Sequence, residues 1–221
     1  QDEFYEKEQD FFNENIPELQ QYEHIFSQKI LKSKNREELE KVFGELMFKQ
    51  AELRQKTFDP KVIPHLQKEN KLSTEYSKLL ASAKIEFEGG TYNLSQMGPF
   101  LQNLDRNIRH SAQLKVSEFF ANNEEQLDRI YDDMVKVRTE IAKELGYENY
   151  VQLGYDRLGR TDYDYKDVKN YRDQIYRDVV QLVADLKKRS AKRIGIDDPK
   201  SYDLSLAFLT GNPTPKGDRA W

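Results

Sequence analysis

The chain has 221 residues, no cysteine, 33% charged and 12% aromatic residues, and a formal net charge of -4. Its length allows one large domain or two small ones; zero cysteine excludes a disulfide framework and thiolate zinc sites and fits a reducing compartment. The aromatic content argues against disorder, the acidic balance against a nucleic-acid footprint, and no apolar run approaches the roughly 20 residues that span a bilayer.

In chain order the pattern is helix after helix. Gln1-Asp2-Glu3 opens straight into charge, with no signal-peptide pattern. A charged helix over residues 2–14 carries Phe4, Phe11 and Phe12, and Pro17 sits where a new helix can start, since its missing N–H is not needed there. Leu19, Tyr22, Phe26 and Ile30 follow at helical spacing. Asn35 with Glu38 three residues on reads as a capping box, opening a helix with Leu39, Val42, Phe43, Leu46 and Leu53 inward. Asp59-Pro60 reads as N-cap and N1 of the next helix, with a break near Asn70 before Leu72, Tyr76, Leu79, Leu80 and Ala83.

Residues 84–95 depart from this period. Lys84-Ile85-Glu86-Phe87-Glu88 alternates, Gly89-Gly90 reads as a turn, and Thr91-Tyr92-Asn93-Leu94 alternates again, which is a β-hairpin signal. An isolated hairpin is marginal in water, so this one is expected to pack on helices. Ser95 reads as the cap of a short helix through Met97 and Leu101, and Asp105 as the start of one running past Ile108 and Ala112 to Phe119 and Phe120. A long helix from Asn123-Glu124-Glu125 turns Leu127, Ile130, Tyr131, Met134, Val137, Ile141 and Leu145 to a core and ends at Gly146 as C′. From Asp164 the clearest amphipathic pattern begins, with Val168, Tyr171, Ile175, Val179, Leu182 and Leu186, and ends at Ile194-Gly195. No repeat, low-complexity segment or linker interrupts this order. It predicts a mainly α fold, a multi-helix array with one small β-hairpin at about residues 84–95, as a single mostly helical unit over 1–221.

Both ends read as cut, since the first residue is not Met and the last segment, Gly211 to Trp221, is a turn-rich loop ending on the chain's only Trp. Gly211-Asn212-Pro213-Thr214-Pro215-Lys216-Gly217 reads as a connector, because two prolines remove backbone donors that a phosphate loop needs.

Few groups can carry chemistry. His24, His65 and His110 are too scattered for the two-His, one-turn spacing of a zinc peptidase helix, and read as solvent-facing or satisfied helix histidines. There is no G-x-S-x-G elbow, P-loop or G-x-G-x-x-G, and carboxylate pairs such as Glu124-Glu125 and Asp132-Asp133 read as solvated faces. Arg157, Arg160 and Tyr163 fall in a loop between two helices, where binding groups concentrate. Arg offers a bidentate fork for a carboxylate and Tyr a phenol on a flat apolar ring. They are the substrate-binding candidates; the competing structural reading pairs Arg160 with Asp162 or Asp164 to pin the loop.

The run from Leu145 to Arg172, L-G-Y-E-N-Y-V-Q-L-G-Y-D-R-L-G-R-T-D-Y-D-Y-K-D-V-K-N-Y-R, resembles the M3 family of zinc peptidases and, within it, the oligoendopeptidase F branch. Other segments are similar in the same order: Glu69-Asn70-Lys71-Leu72-Ser73 through Glu88-Gly89, Asn93-Leu94-Ser95-Gln96, Asp105-Arg106, Tyr131 to Arg138, Ile141 to Tyr147, and Gly211 to Gly217. The resemblance implies a neurolysin-like M3 fold and a cytoplasmic zinc metalloendopeptidase that hydrolyses short peptides reached through a deep channel. It further implies that the zinc-binding H-E-x-x-H and a downstream Glu lie after Trp221 and that part of the pattern precedes Gln1. The chain is then an internal fragment, channel wall and scaffold, inactive alone, with zinc held by the full-length parent and none by the fragment. Oligopeptides are the implied partners, without nucleic acid or membrane, and self-association through truncated surfaces is expected. A non-catalytic helical module binding a peptide or partner protein is the alternative, and a relative that keeps the fold but has lost the motif is a third reading.

Overall fold

The computed structural model describes residues 2–213, and these residues fall into two compact units, within the spans Gln1–Ser77 with Leu127–Tyr171 and Lys78–Gln126 with Arg172–Trp221. Both are built mainly of α-helix, and the one sheet among the described residues is a two-stranded antiparallel hairpin, as the alternation predicts.

The first unit opens with α1 (Glu3–Leu31), capped by the Asp2 carboxylate, which accepts from the Phe4 N–H at 2.9 Å. The helix does not restart at Pro17 but runs through it. A proline inside a helix leaves the carbonyl four residues back without its donor. Here α4 (Ile63–Ala81) supplies donors from outside: Asn70 Nδ2 donates to the Asn13 carbonyl at 3.2 Å, and Gln67 Nε2 to that of Glu14 at 2.8 Å. The buried Asn13 amide in turn donates to Thr74 Oγ1 at 2.9 Å. The same contacts explain why α4 does not break at Asn70: that side chain serves α1 instead of competing for its own backbone.

Between them lie α2 (Arg36–Phe43) and α3 (Glu45–Thr57), not one helix; Gly44, at φ +84°, separates them. The expected Asn35 capping box does not form, since the Asn35 side chain makes no cap hydrogen bond. The turn at Gly44 resets the helical phase. Val42, Phe43 and Leu46 are exposed, whereas Phe48 and Ala51 are buried. Asp59 does cap, accepting from the Lys61 N–H at 3.0 Å above a 3₁₀ turn, Pro60–Val62, that leads into α4. The core joins Phe58, Val62, Leu66 and Leu72 to Val137 and Ile141 of α7 (Glu124–Glu144) and Leu153 of α8 (Tyr150–Arg157). These large apolar positions of α1 are not core: Phe4, Phe11, Phe12, Leu19, Tyr22 and Phe26 stay exposed.

In the second unit, β1 (Ile85–Phe87) pairs with β2 (Gly90–Tyr92) in the register Ile85↔Tyr92, Glu86↔Thr91, Phe87↔Gly90. The turn residues are therefore Glu88 and Gly89, at φ +45° and +77°, not Gly89 and Gly90. A two-residue type I′ turn needs both positive. Gly90 is reserved for the strand because the Tyr92 ring lies over it; a Cβ there would stand 2.6 Å from Tyr92 Oη. Ile85 and Phe87 bury against Met97 and against Ala112 of α6 (Arg106–Asn122). The short α5 (Gly98–Leu101) is approached not through a Ser95 cap but through Asn93 and Gln96, each side chain accepting from the other's N–H at 2.9 Å.

Arg109, only 1% exposed, and Asp203, 2% exposed, are buried charges of the second unit. Arg109 donates to Asp203 Oδ1 at 2.9 Å and to the carbonyls of Asn103, Leu104 and Tyr202, while Arg106 grips the same carboxylate at 2.8 Å. Burial pushes the Asp203 carboxyl up, but hydrogen bonds from Arg106, the Lys200 N–H and Arg109 outweigh it and hold the group well below the usual carboxylate range.

The amphipathic pattern from Asp164 forms α9 (Tyr165–Gln174), a wide π turn (Ile175–Val179) and α10 (Val180–Arg193), ended as expected by Gly195 at φ +73°. On α10, Ala191 is buried, but Leu182, Val183 and Leu186 are exposed. No helix among the described residues is long and apolar enough to cross a membrane. Of the Gly211–Gly217 segment, residues 211–213 are described, and Asn212 Oδ1 accepts from the Ala207 N–H at 2.8 Å; Thr214 to Gly217 lie outside the described residues, as does Trp221.

Candidate functional site

Arg157 lies not in the loop but at the end of α8, and the loop that carries Arg160 and Tyr163 is set by two successive helix ends of the same type. At the end of α7 the Tyr147 N–H donates to the Ala142 carbonyl at 2.9 Å and the Gly146 N–H to that of Lys143 at 3.0 Å, with Gly146 at φ +83°. These are the paired bonds of a Schellman cap. Asn149 then caps α8, accepting from the Val151 N–H at 2.9 Å. At the end of α8 the pattern repeats: the Arg160 N–H donates to the Tyr155 carbonyl at 3.2 Å and the Gly159 N–H to that of Asp156 at 3.0 Å, with Gly159 at φ +65°. Tyr147 ties the two ends together, its phenol donating to Asp156 Oδ2 at 2.7 Å. Burial, and then the adjacent Asp156 carboxylate, push that phenol well above the usual tyrosine range.

The structure separates the three candidate residues by role. Arg157 is engaged within the protein: Nη2 donates to Glu69 Oε2 at 2.9 Å and Nη1 to the Tyr150 hydroxyl at 3.3 Å. Glu69, 5% exposed on α4, also accepts from Arg138 Nε at 2.7 Å, and the Tyr150 ring lies beneath both guanidinium groups. This brace joins α4, α7 and α8. Glu69 carries no local signal as a hub, because its partners are 69 and 88 residues away.

Arg160 and Tyr163 do come together, joined by Tyr155. The guanidinium carbon of Arg160 lies 4.5 Å from the Tyr155 ring centre and 5.4 Å from that of Tyr163, in the corner of two rings set at 80°. Arg160 is at position C″ of the cap and Tyr155 at C3, the pair that such a cap brings into side-chain contact. Gly159 is what directs Arg160 back onto Tyr155, and its signal in the sequence is a glycine directly after the helix-ending Arg157-Leu158. The pairing of Arg160 with Asp162 or Asp164 does not form. Asp164 Oδ1 instead accepts from the N–H groups of Lys166 at 2.7 Å and Asp167 at 3.2 Å, Asp167 Oδ2 accepts from the Asp164 N–H at 2.9 Å, and Thr161 Oγ1 donates to Asp162 Oδ1 at 3.2 Å. Capping the start of α9 takes the carboxylates that lie nearest in sequence.

The histidines lie on separate helices. His24 packs against Phe58, His65 Nδ1 is 3.4 Å from Glu140 Oε2, and His110 stacks on Tyr202. Among the described residues no three His, Cys, Asp or Glu side chains converge as a metal requires, so these residues do not fit a zinc ion.

Residues 1–58 match the family model described as the Peptidase M3 N-terminal domain. A 3.1 Å crystal structure bearing the name oligoendopeptidase F superposes with a TM-score of 0.95 at 47% identity, over 99% of this chain and 39% of that one. An oligoendopeptidase F structure from Bacillus anthracis str. Ames gives 0.94 at 49% identity, over 98% of this chain and 40% of that one. A structure of PZ peptidase A with an inhibitor gives 0.95 at 45% identity, over 99% and 39%. Comparison with curated proteins found no match. The chain spans about two fifths of the length of these solved structures. With such identity sustained over 98–99% of its length, and with the M3 N-terminal family model matched at its start, the chain is similar to M3 peptidases of the oligoendopeptidase F type.

Proposed function

We propose that the chain is part of a cytoplasmic zinc-dependent oligoendopeptidase that hydrolyses short peptides, and that it forms wall and scaffold of the channel those peptides enter. The observation that carries this reading is the unbroken match over 98–99% of the chain to oligoendopeptidase F structures and to a PZ peptidase solved with an inhibitor. Zinc, where the protein holds it, supplies a water activated for attack on the scissile carbonyl; none of the described residues is assigned to it. Their work in this reading is positional. The Glu69 brace and the two caps fix α4, α7, α8 and the loop after them, and leave Arg160 and Tyr163 for contact with peptide. By itself the 221-residue chain is inactive, and the exposed aromatic residues of α1 and apolar residues of α10 support its self-association when isolated.

The test is hydrolysis of internally quenched peptides of roughly 6 to 12 residues, a length suited to a channel that admits only unfolded substrates, alongside a folded protein substrate. The full-length protein is expected to cut the peptides and spare the folded protein, and the isolated 221-residue chain to cut neither. Cleavage by the isolated chain, or none by the full-length protein, contradicts the reading.

A further inference from the structure

We propose that Arg160, fixed in the corner of Tyr155 and Tyr163, is the receptor for a carboxylate of the bound peptide; the inference rests on the peptidase reading for its ligand class. Arg160 differs from the other arginines that lie over aromatic rings in what it lacks. Arg36, Arg106, Arg138 and Arg157 also lie over aromatic rings, and each has a carboxylate of this chain in reach: Glu52, Asp203, and Glu69 for the last two. Arg193, over Phe208, donates to the Ala207 carbonyl. Among the described residues the Arg160 guanidinium bonds no acceptor, although Asp162 and Asp164 lie two and four positions away.

The geometry makes that vacancy usable. The backbone of Arg160 is held by its N–H bond to Tyr155 and by Gly159 in the left-handed region. The side chain is half-buried, with ring contacts at 4.5 and 5.4 Å. Aromatic contacts hold a guanidinium by its face and leave the in-plane N–H groups along its edge. Such an edge matches a planar carboxylate with two parallel hydrogen bonds. The entropic cost of ordering the arginine is met before the ligand arrives, which favours binding. Tyr163 is half exposed, with its ring centre 5.4 Å from the guanidinium carbon. The receptor is therefore a preformed cation, with Asp164 turned to the start of α9 and Asp162 accepting from the Thr161 hydroxyl.

Two sources supply a peptide carboxylate, the C-terminus and an acidic side chain, and one experiment separates them. Binding to the full-length protein is measured by calorimetry, with chelator present to prevent turnover, for three N-acetylated tetra-alanine peptides: free acid, C-terminal amide, and amide with one internal Glu. Wild type is expected to bind one carboxylate peptide about 10-fold or more tighter than the plain amide, in line with a charge-assisted bond. The tighter peptide identifies the source. Arg160→Gln is expected to bring that ratio to about 1, and Arg160→Lys to retain only part of it, because an ammonium lacks the fork. The ratio does not depend on the fraction of protein folded, so a destabilised variant still reports. Equal binding of all three peptides by wild type, or selectivity that survives Arg160→Gln, overturns the proposal while leaving peptide hydrolysis, assayed without chelator, to stand by itself. Selectivity lost in Arg160→Gln in a protein that hydrolyses no peptide supports the receptor and overturns the peptidase reading.

Discussion

Glu69→Ala should unfold the first unit's brace at a measurable free-energy cost. The carboxylate is 5% exposed and accepts one charge-assisted bond from Arg138 at 2.7 Å and one from Arg157 at 2.9 Å. Removing one partner of a fully buried pair costs about 3–5 kcal/mol. Here the arginine side chains are 41% and 29% exposed and can partly rehydrate, which brings the expected loss to about 2–3 kcal/mol. At about 2–4 °C per kcal/mol for a domain of this size, the melting temperature falls by about 4–12 °C. Glu69→Gln keeps one acceptor and should lose less. The assay is urea unfolding followed by far-ultraviolet circular dichroism on Glu69→Ala, Arg157→Ala and the double variant. Arg157→Ala removes one of the two stranded cations, so the double variant should be less destabilised than the sum of the singles by more than about 0.5 kcal/mol. A Glu69→Ala protein within about 0.5 kcal/mol of wild type, or strict additivity, would refute the brace.

Asp203→Asn should remove an acid-sensitive part of stability in the second unit. Because its carboxyl is held below the ordinary value, its contribution is complete above the unfolded aspartate pKa of about 3.9 and is lost as pH falls below that toward the folded value. The variant's stability should therefore vary less with pH below about 4; an unchanged acid slope contradicts this. Leu153→Ala empties a fully buried position in the first core and should cost about 2–5 kcal/mol in denaturant unfolding; a loss under about 1 kcal/mol would mean the site is not packed as described. Gly159→Ala places a side chain at φ +65° and should cost about 1–2 kcal/mol. It should also weaken the carboxylate selectivity assigned to Arg160, whereas unchanged selectivity would separate the cap from the receptor.

Helix type and the hairpin could be read from periodicity because both depend on local sequence. The errors came where a distant residue decided. Pro17 reads locally as a helix start, and Gln67 and Asn70, more than 50 residues after the carbonyls of Glu14 and Asn13 they serve, supply the donors that let α1 continue. Gly89-Gly90 offered two turn settings, and the choice fell to Glu88 accepting a positive φ while Tyr92 covered Gly90. At the candidate site, Arg157, Arg160 and Tyr163 were visible as a loop cluster, but not their division of labour. Arg157 is taken by Glu69 from another helix, and Arg160 is left unpaired because α9 needs Asp164 and Asp167 for its own N–H groups. The first competition leaves no trace in residue spacing, because Glu69 and Arg157 are 88 positions apart.

The central claim, that this chain belongs to a working zinc oligoendopeptidase, is tested most directly by metal dependence in the full-length protein. Peptide hydrolysis should vanish after exhaustive chelation and return on titration with about one equivalent of zinc per active site, a structural brace at Glu69 being untouched throughout. Hydrolysis that persists in metal-free protein, or a zinc-replete protein that binds peptides without cutting them, would contradict the account.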